Sequence, residues 1–518
     1  MTSGIHHITL ITRKVQPNVD FYAGFLGLRL VKRTAGYEDA AQLHLFYGDA
    51  VGTPGSLVSF LVWEDGAPGR VGHGQPSEIA FAIAPTSIGF WLTRALQQQI
   101  VMSGPSQEFG EPVLRLKDPD GVIVKLVGTS DLQAPAPWTT ADIPAEDAVR
   151  RLRGATVLTE KPQETAAFLE THFGFSETAA TDSIRRMTSV ARDIIDVRDA
   201  SGFWTAAPGT GTIDHIAFRA TDEAAVKAVR SALEAVESGE ISAHDRKYFY
   251  SLYVREPGGS LFELATDTPG MLVDEPEDTL GTQLFIPTHF QSDRSDIRVA
   301  LPQFSMPGEP RMTARDLPFI HRLQQPENPD GTTLVLLHGT GGNETSLLQL
   351  GSQIAPNATL LSLRGRSLDE GFPRFFRRIT NLSFDQTEII SEAEAFAAFV
   401  EGAVDGYGLD LSKTLFVGYS NGANMLGAVM LLHPGLIRQA ALFRAMNVLE
   451  TIPGGDLTGT NVLMTTGAQD PYAPYTPALE KNLLNGQAAV ENTLLNTGHE
   501  LSLQDVSVTK TWLAGIGF

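Results

Sequence analysis

Two groups of residues in this 518-residue sequence have side chains and spacings suited to chemistry. The first lies near the C-terminus. Gly418-Tyr-Ser-Asn-Gly422 follows an apolar strand at 414–417 and precedes a helix-like run at 423–432. A serine at the tip of so tight a strand–turn–helix junction can reach a carbonyl, and the flanking glycines avoid collision with neighbouring backbone. Upstream, Leu336-Leu-His-Gly-Thr-Gly-Gly342 is a glycine-rich loop after a strand, able to aim backbone N–H groups at a developing oxyanion. Downstream, Gly467-Ala-Gln-Asp470 offers an acid and Gly498-His499 a base. The order serine, acid, histidine assigns attack to Ser420, proton transfer to His499 and orientation of the imidazole to Asp470. The backbone N–H groups of Thr340 and Asn421 are the expected oxyanion donors. His433, on the helix after the serine, and Asp456, in a glycine-rich loop, are the weaker alternatives for base and acid.

The second group becomes visible only through an internal repeat. Phe21-Tyr-Ala-Gly-Phe-Leu-Gly-Leu28 returns as Phe168-Leu-Glu-Thr-His-Phe-Gly-Phe175, and Ser77-Glu-Ile-Ala-Phe-Ala82 as Asp214-His-Ile-Ala-Phe-Arg219. Asp118-Pro-Asp-Gly-Val-Ile-Val-Lys125 likewise matches Glu256-Pro-Gly-Gly-Ser-Leu-Phe-Glu263. Four modules follow, at 4–65, 75–130, 150–200 and 210–267, each read as a βαβββ unit. Such a unit cannot cover its own sheet, so modules must pair into two curved-sheet domains. In chain order these occupy 1–130 (modules one and two) and 150–267 (modules three and four).

First and last strands of a module line the inside of the curve, so metal ligands belong at equivalent positions on them. First-strand positions are His7, Glu78, Gly154 and His215; last-strand positions are Ser59, Lys125 and Glu263. The last strand of module three, near 194–197, has diverged too far to align. Pairing one with two puts Lys125 beside the metal, and pairing three with four leaves Gly154 as the third partner. Pairing one with four gathers His7, His215 and Glu263, with Ser59 leaving a fourth corner open. Two histidines and one carboxylate with open positions is the donor set of non-heme Fe(II) oxygenases, with Mn(II) as the other candidate ion. Glu78 and Lys125 are then expected to face each other as an ion pair where a metal has been lost.

The elements around these groups set further bounds. With 39 basic and 60 acidic residues the chain carries a formal charge of −21, which argues against nucleic acid or an anionic membrane as the main partner. Zero cysteines exclude disulfides, iron–sulfur clusters and a thiol nucleophile. No signal-peptide pattern or membrane-length apolar run is present, so a cytoplasmic location is expected. Residues 268–315, with scattered prolines and an acidic patch at 274–278, read as a wrapping tail and linker. From about 316 to 518, apolar strands alternate with helical stretches, the rhythm of an α/β domain with a mainly parallel sheet.

The first 310 residues resemble the ring-cleaving dioxygenases of the vicinal-oxygen-chelate (VOC, glyoxalase/bleomycin-resistance) superfamily, in particular the hydroquinone 1,2-dioxygenase branch. Gly4-Ile-His-His-Ile-Thr9 and Asp245-Arg-Lys-Tyr-Phe-Tyr-Ser-Leu-Tyr253 carry the resemblance, together with Pro-Gly-Gly-Ser-Leu-Phe-Glu263. It implies Fe(II)-dependent insertion of dioxygen beside a hydroxyl of a para-dihydroxybenzene. Arg246 and Tyr253 would then lie near the substrate, and His6 and Thr9 would orient the first ligand. Asp214 departs from the pattern, standing where a second histidine often precedes the ligand. The rival activities are a glyoxalase-type isomerase or lyase, which needs four protein ligands and is disfavoured by Ser59, and a non-catalytic aromatic-binding module. Residues 316–518 resemble the phospholipase/carboxylesterase family of compact α/β-hydrolases through His338-Gly-Thr-Gly-Gly-Asn-Glu344, Leu363-Arg-Gly365 and Phe375-Phe-Arg-Arg378. That resemblance implies hydrolysis of small carboxylic esters, with Phe375 and Phe376 lining an acyl pocket or belonging to the core. The expectation is a bifunctional enzyme taking small aromatic diols, dioxygen and small esters; the sequence leaves its oligomeric state open.

Overall fold

A computed structural model describes residues 4–64, 66–130, 137–235, 241–311 and 315–518. They form two compact units, one of residues 1–292 with 301–311, the other of 293–300 with 312–518.

In the first unit each module runs strand, helix, then three antiparallel strands, with its last strand returning parallel to its first. Module one shows the pattern: Ile5–Thr12, then Arg29–Ala35, Leu43–Gly48 and Leu57–Val62, the last pairing in parallel with the first. This order leaves the outer edge of each first strand without a partner, and an open edge must be covered. Ile5–Thr12 therefore pairs antiparallel with Thr212–Ala220, and Gln75–Ile83 with Arg151–Thr159. The result is a nine-stranded sheet, eight strands from modules one and four plus Leu284–Phe285, and an eight-stranded sheet from modules two and three. Each sheet takes one module from residues 1–130 and one from 150–267. The repeated glycine has a common cause: Gly174 ends the helix Pro162–Phe173 at φ +69°, and Gly27 repeats that φ in module one.

Residues 268–292 belong to this unit. Met271, Leu280 and Phe285 pack against Phe46, Phe249 and Ala265 inside the first curved sheet, and Leu284–Phe285 pairs with Arg29–Ala35 at its edge. The fully buried Lys32 ammonium sits between Asp274, at 2.7 Å, and Glu275. Arg294–Ala300 is a helix of the second unit, and 301–311 returns to the first.

The second unit is built on a seven-stranded sheet. Its order is His321–Gln324, Thr359–Leu363, Thr333–Leu337, Thr414–Tyr419, Gln439–Phe443, Asn461–Gly467 and Ala489–Leu495, parallel except for the first strand. The central strands Thr333–Leu337, Thr414–Tyr419 and Gln439–Phe443 are buried along nearly their whole length because both faces are covered. Val335, Leu337 and Phe416 point to the side packed by helices Gln386–Tyr407 and Asn421–Leu432. Leu334, Leu336 and Leu415 point to the side of Leu348–Ile354 and Leu503–Ile516. Among the described residues no helix is long and apolar enough to cross a membrane.

Candidate metal centre and candidate hydrolytic site

The pairing of modules one and four brings three ligand atoms together. His7 comes from Ile5–Thr12, His215 from Thr212–Ala220 and Glu263 from Leu261–Pro269, which are successive neighbours in the sheet. Glu263 Oε2 lies 2.8 Å from His215 Nε2 and 3.3 Å from His7 Nε2, and the two Nε2 atoms are 3.4 Å apart. All three side chains are buried. Glu263 Oε2 forms no hydrogen bond, whereas Oε1 accepts one from Ser251 at 2.5 Å. A buried carboxylate oxygen aimed at two imidazole nitrogens fits a divalent metal, since each of the three atoms has a lone pair to give.

The outer faces of the ligands are held as well. His215 Nδ1 donates to Asp214 at 2.6 Å, so the residue that breaks the family pattern serves as the carboxylate behind a ligand. His6 and His7 share a hydrogen bond between their Nδ1 atoms at 3.0 Å. Neighbours along a strand normally point to opposite faces, but a register shift between Ile5 and His7 lets His6 turn back toward His7. Thr9, two residues on from His7, bonds Ser59 at 2.8 Å. His6 is held neutral, its pKa pushed down to about 3 by burial and then by its proximity to His7, since the two imidazoles disfavour each other's protonation. Burial works against the charge on His215, yet its hydrogen bond to Asp214 and the close Glu263 carboxylate prevail and lift its pKa to about 9. Glu263 is likewise buried, but the two histidines hold it well below the usual carboxylate range.

Tyr253 stands edge-on to His215 with ring centres 5.4 Å apart, and the Arg246 guanidinium lies 5.7 Å from the Tyr253 ring. Burial, then the charge of Glu263, raises the Tyr253 hydroxyl, so it remains a proton donor. Arg246 also pairs with Glu38 at 3.2 Å. Two histidines that sequence reasoning missed complete this wall. His44, on Leu43–Gly48, has a buried Nε2 without a partner, and its pKa is driven down to about 3 by burial and then by His7, His215 and Arg246. His244 packs against Tyr253 at 5.9 Å. The available signal was a histidine interrupting an apolar strand, weak alone but informative once that strand borders the ligands.

The second curved sheet carries charge at the corresponding place. Lys125 Nζ lies 3.0 Å from Glu78 Oε2, and both bond Thr156. Arg186 forks onto Asp196 at 2.8 and 2.9 Å. Ammonium and guanidinium groups compensate the carboxylates there, so the donor set does not suit a metal ion.

In the second unit, strand Thr414–Tyr419 ends at Ser420, which takes φ +50°, and helix Asn421–Leu432 begins at once. The elbow needs its glycines: a Cβ on Gly422 would lie 2.2 Å from Leu337 O, and one on Gly418 2.6 Å from Ala423 Cα. Ser420 Oγ is 2.9 Å from His499 Nε2, and His499 Nδ1 is 2.9 Å from Asp470 Oδ2. Gly339 borders the nucleophile, since a Cβ on it would lie 3.5 Å from Ser420 Cβ, and Thr340 follows it in the chain. The Asn421 side chain accepts from Phe375 N at 2.7 Å, fixing the segment opposite. His433 caps the far end of the serine's helix, and Asp456 is exposed and bonded to Thr458 N. Neither enters the constellation. Phe375 and Phe376 are fully buried members of the core.

A paired-βαβββ unit with a buried His-His-Glu cluster, joined to an α/β-hydrolase unit with a Ser-His-Asp constellation, defines the class. Residues 4–126 match the family described as the Glyoxalase/Bleomycin resistance protein/Dioxygenase superfamily. The chain is 34% identical over 307 residues to "Putative ring-cleaving dioxygenase MhqO" of Bacillus subtilis (strain 168), covering 59% of this chain and 97% of that protein. It is 29% identical to "Chlorohydroquinone/hydroquinone 1,2-dioxygenase" of Sphingobium indicum, covering 57% of this chain and 94% of that protein. A separate match of 32% identity joins 35% of this chain to 90% of "Putative hydrolase MhqD" of Bacillus subtilis (strain 168). The chain belongs to the glyoxalase/dioxygenase superfamily and carries on the same polypeptide an α/β-hydrolase unit similar to a putative hydrolase.

Proposed function

We propose that this chain is a bifunctional enzyme, an Fe(II)-dependent ring-cleaving dioxygenase of hydroquinone-like aromatics joined to a serine carboxylesterase of small esters. The carrying observation is the convergence of His7, His215 and Glu263 on one buried point, with Glu263 Oε2 left without a hydrogen bond. Iron(II) or manganese(II) held there would supply Lewis acidity and one-electron chemistry toward dioxygen. The protein's own groups do the rest. Among the described residues three ligand atoms converge there, so an ion they held would have coordination positions left for a phenolic oxygen. Arg246 favours the ionised phenol, and the Tyr253 hydroxyl donates a proton in the site. Buried, neutral His44, with its Nε2 unpartnered, can accept a hydrogen bond from a substrate hydroxyl but is too weakly basic to take its proton. The name of the Sphingobium relative supports hydroquinones as the substrate class. The test is oxygen uptake by anaerobically Fe(II)-loaded protein offered hydroquinone, methylhydroquinone or catechol. Uptake with para-diols that is lost in His7→Ala and kept in Ser420→Ala supports the reading, and no uptake with any diol by metal-loaded protein overturns it.

In the second unit Ser420 attacks the ester carbonyl while His499 takes its proton and returns it to the leaving alcohol; Asp470 holds the imidazole throughout. The backbone N–H groups of Asn421 and Thr340 stabilise the oxyanion. Fusion raises the local concentration of anything passed between the two sites, so the esterase either frees a hydroquinone from an aryl ester or acts on a ring-opened ester or lactone. Ser420→Ala that leaves conversion of aryl esters to ring-opened product unchanged removes this link.

A further inference from the structure

The catalytic base of the proposed esterase sits on a loop, not on a helix or strand. His499 lies between strand Ala489–Leu495 and helix Leu503–Ile516. Loops of this kind do not by themselves hold an imidazole to the half-ångström that proton transfer requires. One side chain takes up that task from below. Arg444 is the first residue after strand Gln439–Phe443 and turns the chain with φ +58°. Its neighbour Phe443 accepts from Ser420 N at 2.9 Å, and Arg444 N donates to Thr465 O at 2.9 Å. The Arg444 backbone is thus tied to both the nucleophile and the strand that leads to Asp470.

The guanidinium is completely buried and all of its N–H groups are used. Nε donates to Gly498 O at 3.1 Å, and Nη2 to Thr497 Oγ1 at 3.0 Å and to Glu500 O at 2.8 Å. Those three residues flank His499 on both sides. The remaining donors fork onto Asp505 at 2.7 and 3.1 Å, with a further bond to Thr465 Oγ1 at 2.8 Å. Asp505 closes the loop from the other end, accepting from Ser502 N at 2.9 Å as part of the capping box of the last helix. A buried ion pair contributes little net stability compared with apolar packing, because desolvation offsets the attraction. Its value here is geometric: five donors in a rigid plane fix the loop at three points around one histidine.

We propose that Arg444 is a positioning residue for the base of the esterase, setting His499 against Ser420 and Asp470 through the carbonyls of Gly498 and Glu500. The inference rests on the Ser420–His499–Asp470 reading. It predicts that Arg444 governs kcat and leaves substrate binding nearly untouched, since no part of its side chain reaches the surface.

The full chain is tested with p-nitrophenyl acetate. Hydrolysis by the wild type that is lost in Ser420→Ala establishes the triad; a wild type that neither hydrolyses the ester nor labels Ser420 with a fluorophosphonate overturns triad and inference together. The double variant Arg444→Met, Asp505→Asn removes both charges while an amide oxygen remains to cap the helix. With unchanged melting temperature, it should lose about 100-fold in kcat with KM within about twofold, the penalty expected for sub-ångström misplacement of a catalytic group. The downfield proton resonance of the His499 Nδ1–H bond to Asp470 should shift or broaden. Wild-type kcat and resonance in the folded double variant overturn the proposal and leave the triad standing. Should the double variant fail to fold, Arg444→Lys decides. A lysine keeps the charge beside Asp505 but cannot span all three loop contacts, so loss of kcat with unchanged KM supports the proposal and wild-type kcat overturns it.

Discussion

Metal uptake by the first unit should release close to one proton per ion at pH 7.5. His215 has its pKa raised to about 9 in the metal-free protein because its hydrogen bond to Asp214 and its ion pair with Glu263 outweigh the cost of burying its charge. At pH 7.5, about 1.5 pH units lower, roughly 97% of the His215 population carries the extra proton. His7 is lowered by burial and is neutral, and Glu263 is already ionised, so neither contributes. A metal at His215 Nε2 must expel the proton there, while Asp214 retains the one on Nδ1. The sign follows from the raised pKa: the proton competes with metal below about pH 9, and the competition disappears above it. Apparent affinity for Mn(II) should therefore rise about tenfold per pH unit between pH 7 and 9, and the competition at pH 7.5 costs about 2 kcal/mol. Titration calorimetry in buffers of different ionisation enthalpy measures the proton count directly. Asp214→Asn should release fewer protons at pH 7.5, because the carboxylate that holds the imidazolium is gone. A pH-independent affinity, or no proton release by the wild type, refutes the reasoning and with it the place of His215 in the metal site.

Other consequences are as direct. Ser420→Ala and His499→Ala should each lower ester turnover by about 10⁴-fold or more, and the pair together should cost little beyond either alone, which steady-state kinetics on the folded variants will show. His6 is 2% exposed and its folded pKa of about 3 lies below the unfolded value near 6.5. Its stabilisation is complete above pH 6.5 and is lost as pH falls toward 3, amounting to about 2 kcal/mol lost by pH 5. Denaturant titrations of metal-free protein at pH 7.5 and 5 should show that loss reduced in His6→Leu. Lys125→Met should cost about 3–5 kcal/mol by leaving Glu78 half-compensated, whereas Lys125→Met with Glu78→Met should be near neutral in a melting experiment. Phe375→Ala, at a fully buried position, should destabilise the second unit by about 3–5 kcal/mol.

The chemistry-bearing residues were legible because each site leaves a pattern in the chain. The serine elbow is local, and its glycines are demanded by contacts within a few residues or with the neighbouring strand. The metal ligands are distant in sequence, but the module repeat turns distance into equivalent strand positions, and the requirement for three donors selects the pairing of modules one and four. The grouping by sheet follows from edges: each first strand needs a partner, and its partner lies in the other half of the first unit. What the sequence concealed is of a different kind. His44 has no repeat partner to single it out, and its role depends on a strand two places along the sheet from Ile5–Thr12. The register shift that turns His6 toward His7 is one residue long and has no compositional trace. Residues 268–315 read as a tail because prolines obscure periodicity, yet Met271 and Leu280 fill the curved sheet and Lys32 draws in Asp274 and Glu275. Arg444 was invisible because an arginine after an apolar strand usually faces water, and only the fold shows it enclosed by the loop of the base.

The central claim is that His7, His215 and Glu263 hold a metal that lets this chain open an aromatic ring with dioxygen. The most direct measurement is the mass of the product formed from hydroquinone under ¹⁸O₂ by Fe(II)-loaded protein, quenched within seconds. The account predicts a ring-opened product heavier by both oxygen atoms, absent from the His7→Ala variant and unaffected in Ser420→Ala. Unlabelled quinone alone, or unchanged hydroquinone in protein that has bound its iron, would contradict it.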